Sequence, residues 1–81
     1  MKEVVFTDAA LRQWTKLSPV VRGQINRKLA VYAEGGAGDV KALQGAHGLR
    51  LRVGDWRVIF TLESGDRMLI HAIGNRREIY K

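Results

Sequence analysis

The most constraining stretch of this chain runs from Leu49 to Leu62, where apolar residues recur every second position on both sides of a Gly-Asp pair. Leu49, Leu51 and Val53 alternate with Arg50 and Arg52. After Gly54-Asp55, the residues Trp56, Val58, Phe60 and Leu62 alternate with Arg57, Ile59 and Thr61. Strict alternation marks a strand with one buried face. Gly at the first position of a two-residue loop suits a type II′ hairpin turn. That turn fixes the register, pairing Val53 with Trp56, Arg52 with Arg57, Leu51 with Val58 and Leu49 with Phe60. The apolar residues then share one face, and Arg50, Arg52 and Arg57 gather on the other. Like charges directly opposite each other in a sheet cost a few tenths to about 1 kcal/mol. The fold alone gives no reason to carry that cost. A bound phosphate reverses its sign, because each guanidinium can donate two hydrogen bonds to anionic oxygens.

The rest of the chain supplies the layer that covers the apolar face. Lys2 to Phe6 reads as a short strand, with Thr7 or Asp8 as the cap of a helix carrying the stripe Leu11, Trp14, Leu17. Ser18-Pro19 stops that helix and starts a second, since Ser is a good N-cap and Pro suits the first helical position. Val21, Ile25, Leu29 and Tyr32 form one face of the second helix, which Gly35-Gly36 ends. The two helices make an antiparallel hairpin. A glycine-rich connector over 35–46 follows, anchored by Leu43. Ser64-Gly65-Asp66 marks a turn, Met68 to Ile73 is an apolar strand, and Gly74-Asn75 breaks it before the final Arg76-Arg77-Glu78-Ile79-Tyr80-Lys81. The order is β-α-α-β-β-β, a small α+β domain over residues 1–81 with the helical hairpin on one face of a mostly antiparallel sheet. A turn centred on Gly65-Asp66 would pair Ser64 with Arg67, Phe60 with His71 and Arg57 with Gly74. It would set His71 on the core face and bring Arg76, Arg77 and Tyr80 to the rim of the arginine patch. Trp14 and Trp56 read as core anchors.

Composition narrows the chemistry. In 81 residues, 14 Lys+Arg against 8 Asp+Glu give a net charge of +6, which favours an anionic partner. There is no cysteine, which excludes disulfides and thiolate metal sites. No apolar run approaches the roughly 20 residues that span a bilayer, and Met1 to Phe6 lacks the apolar core of a signal peptide. The expectation is a cytoplasmic protein without membrane contact. His47 and His71 have no second metal ligand at useful spacing, and no phosphate-binding loop or Ser-His-Asp set is present, so neither metal nor other cofactor is expected. Asp55 and Asp66 are accounted for by turn chemistry. Any one arginine on a strand reads first as part of a solvated face. As a group they suit a phosphodiester. An arginine-rich site can stabilise charge on phosphorane oxygens and hold in-line geometry. RNA brings its own nucleophile, the 2′-OH, and would leave a 2′,3′-cyclic phosphate and a 5′-OH.

Leu49-Arg50-Leu51-Arg52-Val53-Gly54-Asp55-Trp56-Arg57-Val58-Ile59-Phe60, followed by Ile73-Gly74-Asn75-Arg76-Arg77-Glu78-Ile79-Tyr80, closely resembles the RelE/ParE superfamily of toxins from bacterial type II toxin–antitoxin systems. The likeness covers nearly the whole chain. In the RelE branch it implies a ribosome-dependent endoribonuclease, an mRNA interferase that inhibits translation. On that resemblance Arg57 stabilises the transition-state phosphate. Arg76 protonates the leaving 5′-oxygen or neutralises its charge, and Tyr80 stacks on the nucleotide and helps deprotonate the 2′-OH. Arg50 falls where the family often has a basic residue, and Arg52, Arg77, Lys81 and His47 are expected to contact RNA. Some members carry a lysine where this chain has Gly48, so the general base must differ, with His47 as a substitute. The ParE branch, which inhibits DNA gyrase without cutting RNA, is the alternative, as is a non-catalytic RNA- or partner-binding module. The resemblance also implies the ribosome and mRNA as partners. A cognate antitoxin with an acidic or amphipathic wrapping segment would form a hetero-oligomer with the toxin and bury Ile59, Ile70 and Ala72.

Overall fold

Both alternating segments form strands of one five-stranded sheet in the computed structural model, which describes residues 1–45 and 47–79. The elements are β1 (Glu3–Phe6), α1 (Asp8–Thr15), α2 (Pro19–Gly35), β2 (Val40–Ala42), β3 (Leu49–Val53), β4 (Trp56–Glu63) and β5 (Arg67–Asn75). The sheet order is β1-β5-β4-β3-β2, antiparallel throughout except for the parallel β1–β5 pair. This is the expected α+β arrangement with one strand added. β2 lies within the connector read as a loop, at the sheet edge beside β3, pairing Val40 with Leu51, Lys41 with Arg50 and Ala42 with Leu49. Three residues between glycine-rich flanks are too few for the alternating pattern to emerge.

The helices start and stop where their residues direct. The Thr7 hydroxyl accepts from the Ala10 N–H at 3.1 Å and the Ser18 hydroxyl from the Val21 N–H at 3.3 Å, with Pro19 opening α2. Gly36, at φ 75°, closes α2 with its N–H on the Tyr32 carbonyl at 2.8 Å. α1 is rotated relative to its expected stripe. Ala10 is fully buried whereas Leu11 is 49% exposed. Trp14 and Leu17 do pack against the core, as does Trp56.

The core lies between the helices and one sheet face. Phe60, Ile25, Leu51, Met68, Ile70 and Val58 are its largest fully buried side chains. Tyr32 of α2 meets the Phe60 ring edge-on at 5.2 Å, and Trp14 of α1 meets Phe6 of β1 at 5.4 Å. Among the described residues no helix is long and apolar enough to cross a membrane.

The β4–β5 hairpin departs from its expected register and then returns to it. Its loop has three residues, Ser64 to Asp66, because Asp66 adopts φ 57° after Gly65 at φ 77°, so Glu63 pairs with Arg67 and Phe60 with Ile70. An irregularity follows. Phe60 faces Ile70 while Ile59 faces Ala72, which leaves His71 as the extra residue of a bulge. Beyond it the pairing is the expected one, Arg57 with Gly74. Two expectations fail in between. His71 is exposed, off the core face, with Nε2 2.8 Å from the Thr61 hydroxyl. Ile70 is fully buried and cannot serve a partner on the outer face.

Candidate nucleic-acid interface

The face of the sheet away from the helices is basic. The β3–β4 register is the one the turn dictates, with Arg52 opposite Arg57 and Arg50 opposite Ile59. β2 adds Lys41 opposite Arg50, a residue missed in the sequence because its strand was missed. Lys41, Arg50, Arg52 and Arg57 therefore share the outer face, clustered toward the β3–β4 turn. Ile59 and Ala72 continue it across the sheet, both half-buried. Leu69, opposite Thr61, takes the place expected of Ile70. At the far end Arg67 faces Glu63 and lies 3.8 Å from Glu3, so the opposite charges balance there.

Arg57 is held by its own turn. Its Nη1 donates to the Gly54 carbonyl at 2.7 Å and the Trp56 carbonyl at 2.9 Å, which folds the side chain over its own turn. Both Nη1 protons are thereby used. The Nε–H and Nη2–H edge has no partner among the described residues, and that edge is the planar fork that grips two oxygens of a phosphate.

Arg52 and Arg76 have acids beside them. Arg52 Nη1 lies 3.9 Å from Asp39 Oδ2, and Arg76 Nε lies 3.8 Å from Asp55 Oδ1. All four side chains are at least half exposed. Pairs of this kind contribute about 0–1 kcal/mol and are readily given up to a stronger anion. Asp55 thus does more than form its turn, since its carbonyl also accepts the Arg76 N–H at 2.8 Å.

The last described residues form a tight turn built by Asn75. Its carbonyl accepts from the Glu78 and Ile79 N–H groups at 2.9 and 3.0 Å, and its side-chain oxygen accepts from the Arg77 N–H at 3.1 Å. The turn folds back on Gly74, where a Cβ would stand 3.3 Å from the Ile79 Cβ. Gly74 is the cross-strand partner of Arg57. The 76–79 turn therefore comes to the Arg57 edge of the face, as the sequence predicts for Arg76 and Arg77. A polar hollow of about 430 Å³ opens there, lined by Asp55, Asn75, Arg76, Arg77 and Glu78.

The structure thus gathers Arg50, Arg52, Arg57, Arg76 and Arg77 around one end of the sheet. His47 is not brought in. It is exposed, in the bend just before β3, five residues along the chain from Arg52. Tyr80 and Lys81 lie outside the described residues.

No family model and no curated protein sequence matches the chain. Solved structures do. The toxin–antitoxin complex RelBE2 from Mycobacterium tuberculosis aligns over 93% of this chain and 98% of its own, with a TM-score of 0.80 and 20% identity. The intact RelBE toxin–antitoxin complex of E. coli aligns over 93% and 96%, at 0.72 and 22%. The YoeB/ParE toxin from Agrobacterium tumefaciens aligns over 90% and 96%, at 0.75 and 18%. The fold of this chain is RelE-like.

Proposed function

We propose that this protein is the toxin of a toxin–antitoxin pair and that its basic outer face cleaves mRNA on the ribosome. One observation carries the reading: Arg52 and Arg57 stand directly opposite each other on an open face, with the Arg76 turn folded onto the next strand beside them. Like charges at directly opposed positions repel. The exposed Asp39 contact at 3.9 Å offsets only part of that at Arg52, and a phosphate shared by both arginines would offset more.

In the proposed reaction the 2′-oxygen of one nucleotide attacks the adjacent phosphorus. The P–O5′ bond breaks, the 2′-OH proton leaves, and the departing 5′-oxygen gains a proton. The products are a 2′,3′-cyclic phosphate and a 5′-OH. The Arg57 fork binds the phosphorane oxygens, on which negative charge builds. This is where a preorganised donor gains most between ground and transition state. Arg76, released from Asp55, neutralises or protonates the 5′-oxygen. Tyr80, which follows Ile79 in the chain, stacks on the base and assists removal of the 2′ proton. Arg50 and Arg52 hold the strand in line, and Arg77 and Lys81 contact the flanking backbone. The matched solved structures include toxin–antitoxin complexes, which supports a cognate antitoxin. Its chemistry should be acidic toward the cations and apolar toward Ile59, Ala72 and Leu69.

The test is primer extension on programmed ribosomes. Defined cuts in the ribosome-bound mRNA are expected. Gyrase-dependent DNA breaks without mRNA cuts would replace this reading with a ParE-like one, and RNA binding without cleavage would replace it with a binding module. A second expectation concerns the chain end. A Gly74→Val side chain collides with Ile79 and lifts the turn that carries Arg76. Since displacements near 1 Å can cost about 10²-fold, cleavage should fall by about that factor. The melting temperature should move by no more than about 5 °C, because the turn lies outside the core. Unchanged cleavage by Gly74→Val would remove the 76–79 turn from the site.

A further inference from the structure

Lys41 stands directly opposite Arg50 across β2 and β3. Its neighbour Val40 packs on the core, so Lys41 points to the outer face, where it is exposed. The ion pairs at Arg52, Arg67 and Arg76 leave it out. The nearest acid in sequence, Asp39, is turned to Arg52 instead. Directly opposed residues in an antiparallel pair have Cα atoms about 4.5–5.5 Å apart, so Lys41 and Arg50 form a second like-charge pair beside that of Arg52 and Arg57. The two pairs lie two residues apart along β3, about 6.6 Å, and on opposite sides of it, about 4.8 Å across, so their centres are about 8 Å apart. Long Lys and Arg side chains can converge over that distance on successive phosphates of one extended strand. β3 itself cannot extend the row. Gly48 sits at φ 134°, and a Cβ there would lie 3.3 Å from the Phe60 carbonyl oxygen. The added cation comes from the neighbouring strand.

We propose that Lys41 and Arg50 form a phosphate seat adjoining the Arg52–Arg57 seat, so that the face holds two successive phosphates of one RNA strand. The proposal rests on the reading of this face as an RNA site and adds a binding residue to it. Lys41 touches the flanking phosphate and not the reacting atoms, so it contributes to KM and leaves kcat nearly unchanged.

The test compares wild type with Lys41→Gln, Lys41→Arg and Arg12→Gln, the last removing a charge from α1 on the helix side of the protein. The probe is a short 2′-O-methyl single-stranded RNA, which binds without being cut, titrated between 50 and 200 mM salt. Lys41→Gln should bind about fivefold more weakly. Its plot of log affinity against log salt should be shallower by about 0.7, the slope carried by one phosphate contact on a single strand. Lys41→Arg should restore both, and Arg12→Gln should match wild type. On programmed ribosomes Lys41→Gln should raise KM with kcat within about twofold. The seat is overturned if Lys41→Gln matches wild type in affinity and slope, if Arg12→Gln does the same damage, or if the wild type does not bind the RNA. If the wild type binds the oligonucleotide with the expected Lys41 dependence but cuts no mRNA, the seat stands and the nuclease reading falls.

Discussion

An Arg57→Ala variant is expected to lose about 10²–10³-fold in cleavage rate and to be harmless when expressed. The fold change follows from the position of the side chain. Two carbonyls of its own turn hold Nη1, and the remaining fork has no partner among the described residues, at the turn end of the basic face. A donor fixed in place before the reaction contributes most when charge develops on the phosphorane, and removal of one such donor costs about 2.7–4 kcal/mol in transition-state stabilisation. Stability should change far less. The lost bonds are two exposed or part-exposed contacts to the Gly54 and Trp56 carbonyls, together about 1 kcal/mol, or about 4–8 °C in melting temperature for a domain of this size. Arg57→Lys should recover only part of the rate, because an ammonium cannot form the planar two-pronged contact. A toxic, fully active Arg57→Ala protein would remove the central residue of the mechanism.

The second large effect is on folding. Phe60 is fully buried, carries the Tyr32 ring of α2 at 5.2 Å, and lies three residues along β4 from Arg57. Truncation to alanine removes a ring from the contact that joins helix layer to sheet, at a cost of about 3–5 kcal/mol. A chain of 81 residues has a total stability of about 4–12 kcal/mol. Phe60→Ala should therefore lower the melting temperature by about 15 °C or more, or prevent folding. Leu62→Ala serves as the control. Leu62 belongs to the same strand but is 47% exposed, and its loss should cost about 0.5 kcal/mol or less. Thermal melts followed by circular dichroism distinguish the two. Equal, small shifts would show that the core does not centre on Phe60.

The sequence made some of this legible for physical reasons that can be named. The β3–β4 hairpin was readable pair by pair, because a two-residue turn leaves one register and the alternation is unbroken on both sides. The second hairpin was not. Ser64-Gly65-Asp66 accommodates a two- or a three-residue loop, and only the left-handed conformation of Asp66 decides between them. The bulge at His71 leaves no mark either, since Met68 to Ile73 is apolar at nearly every position and has no alternation to break. The two shifts are each one residue and of opposite sense. Arg57 therefore still meets Gly74, and the arginine cluster was legible although His71 and Ile70 were misplaced. Lys41 was hidden by the shortness of β2. The contacts of Asp39 and Asp55 with Arg52 and Arg76 depend on side-chain reach, which no spacing rule encodes.

The chemistry of the cut ends tests the central claim most directly. Opposed arginines that stabilise attack by the RNA's own 2′-oxygen must leave a 2′,3′-cyclic phosphate upstream and a free 5′-OH downstream. The downstream fragment from programmed ribosomes should therefore accept phosphate from polynucleotide kinase without prior phosphatase treatment. Mass spectrometry of the upstream fragment should find the cyclic ester. Fragments ending in a 3′-OH and a 5′-phosphate, or intact mRNA beside a fully folded protein, would contradict it.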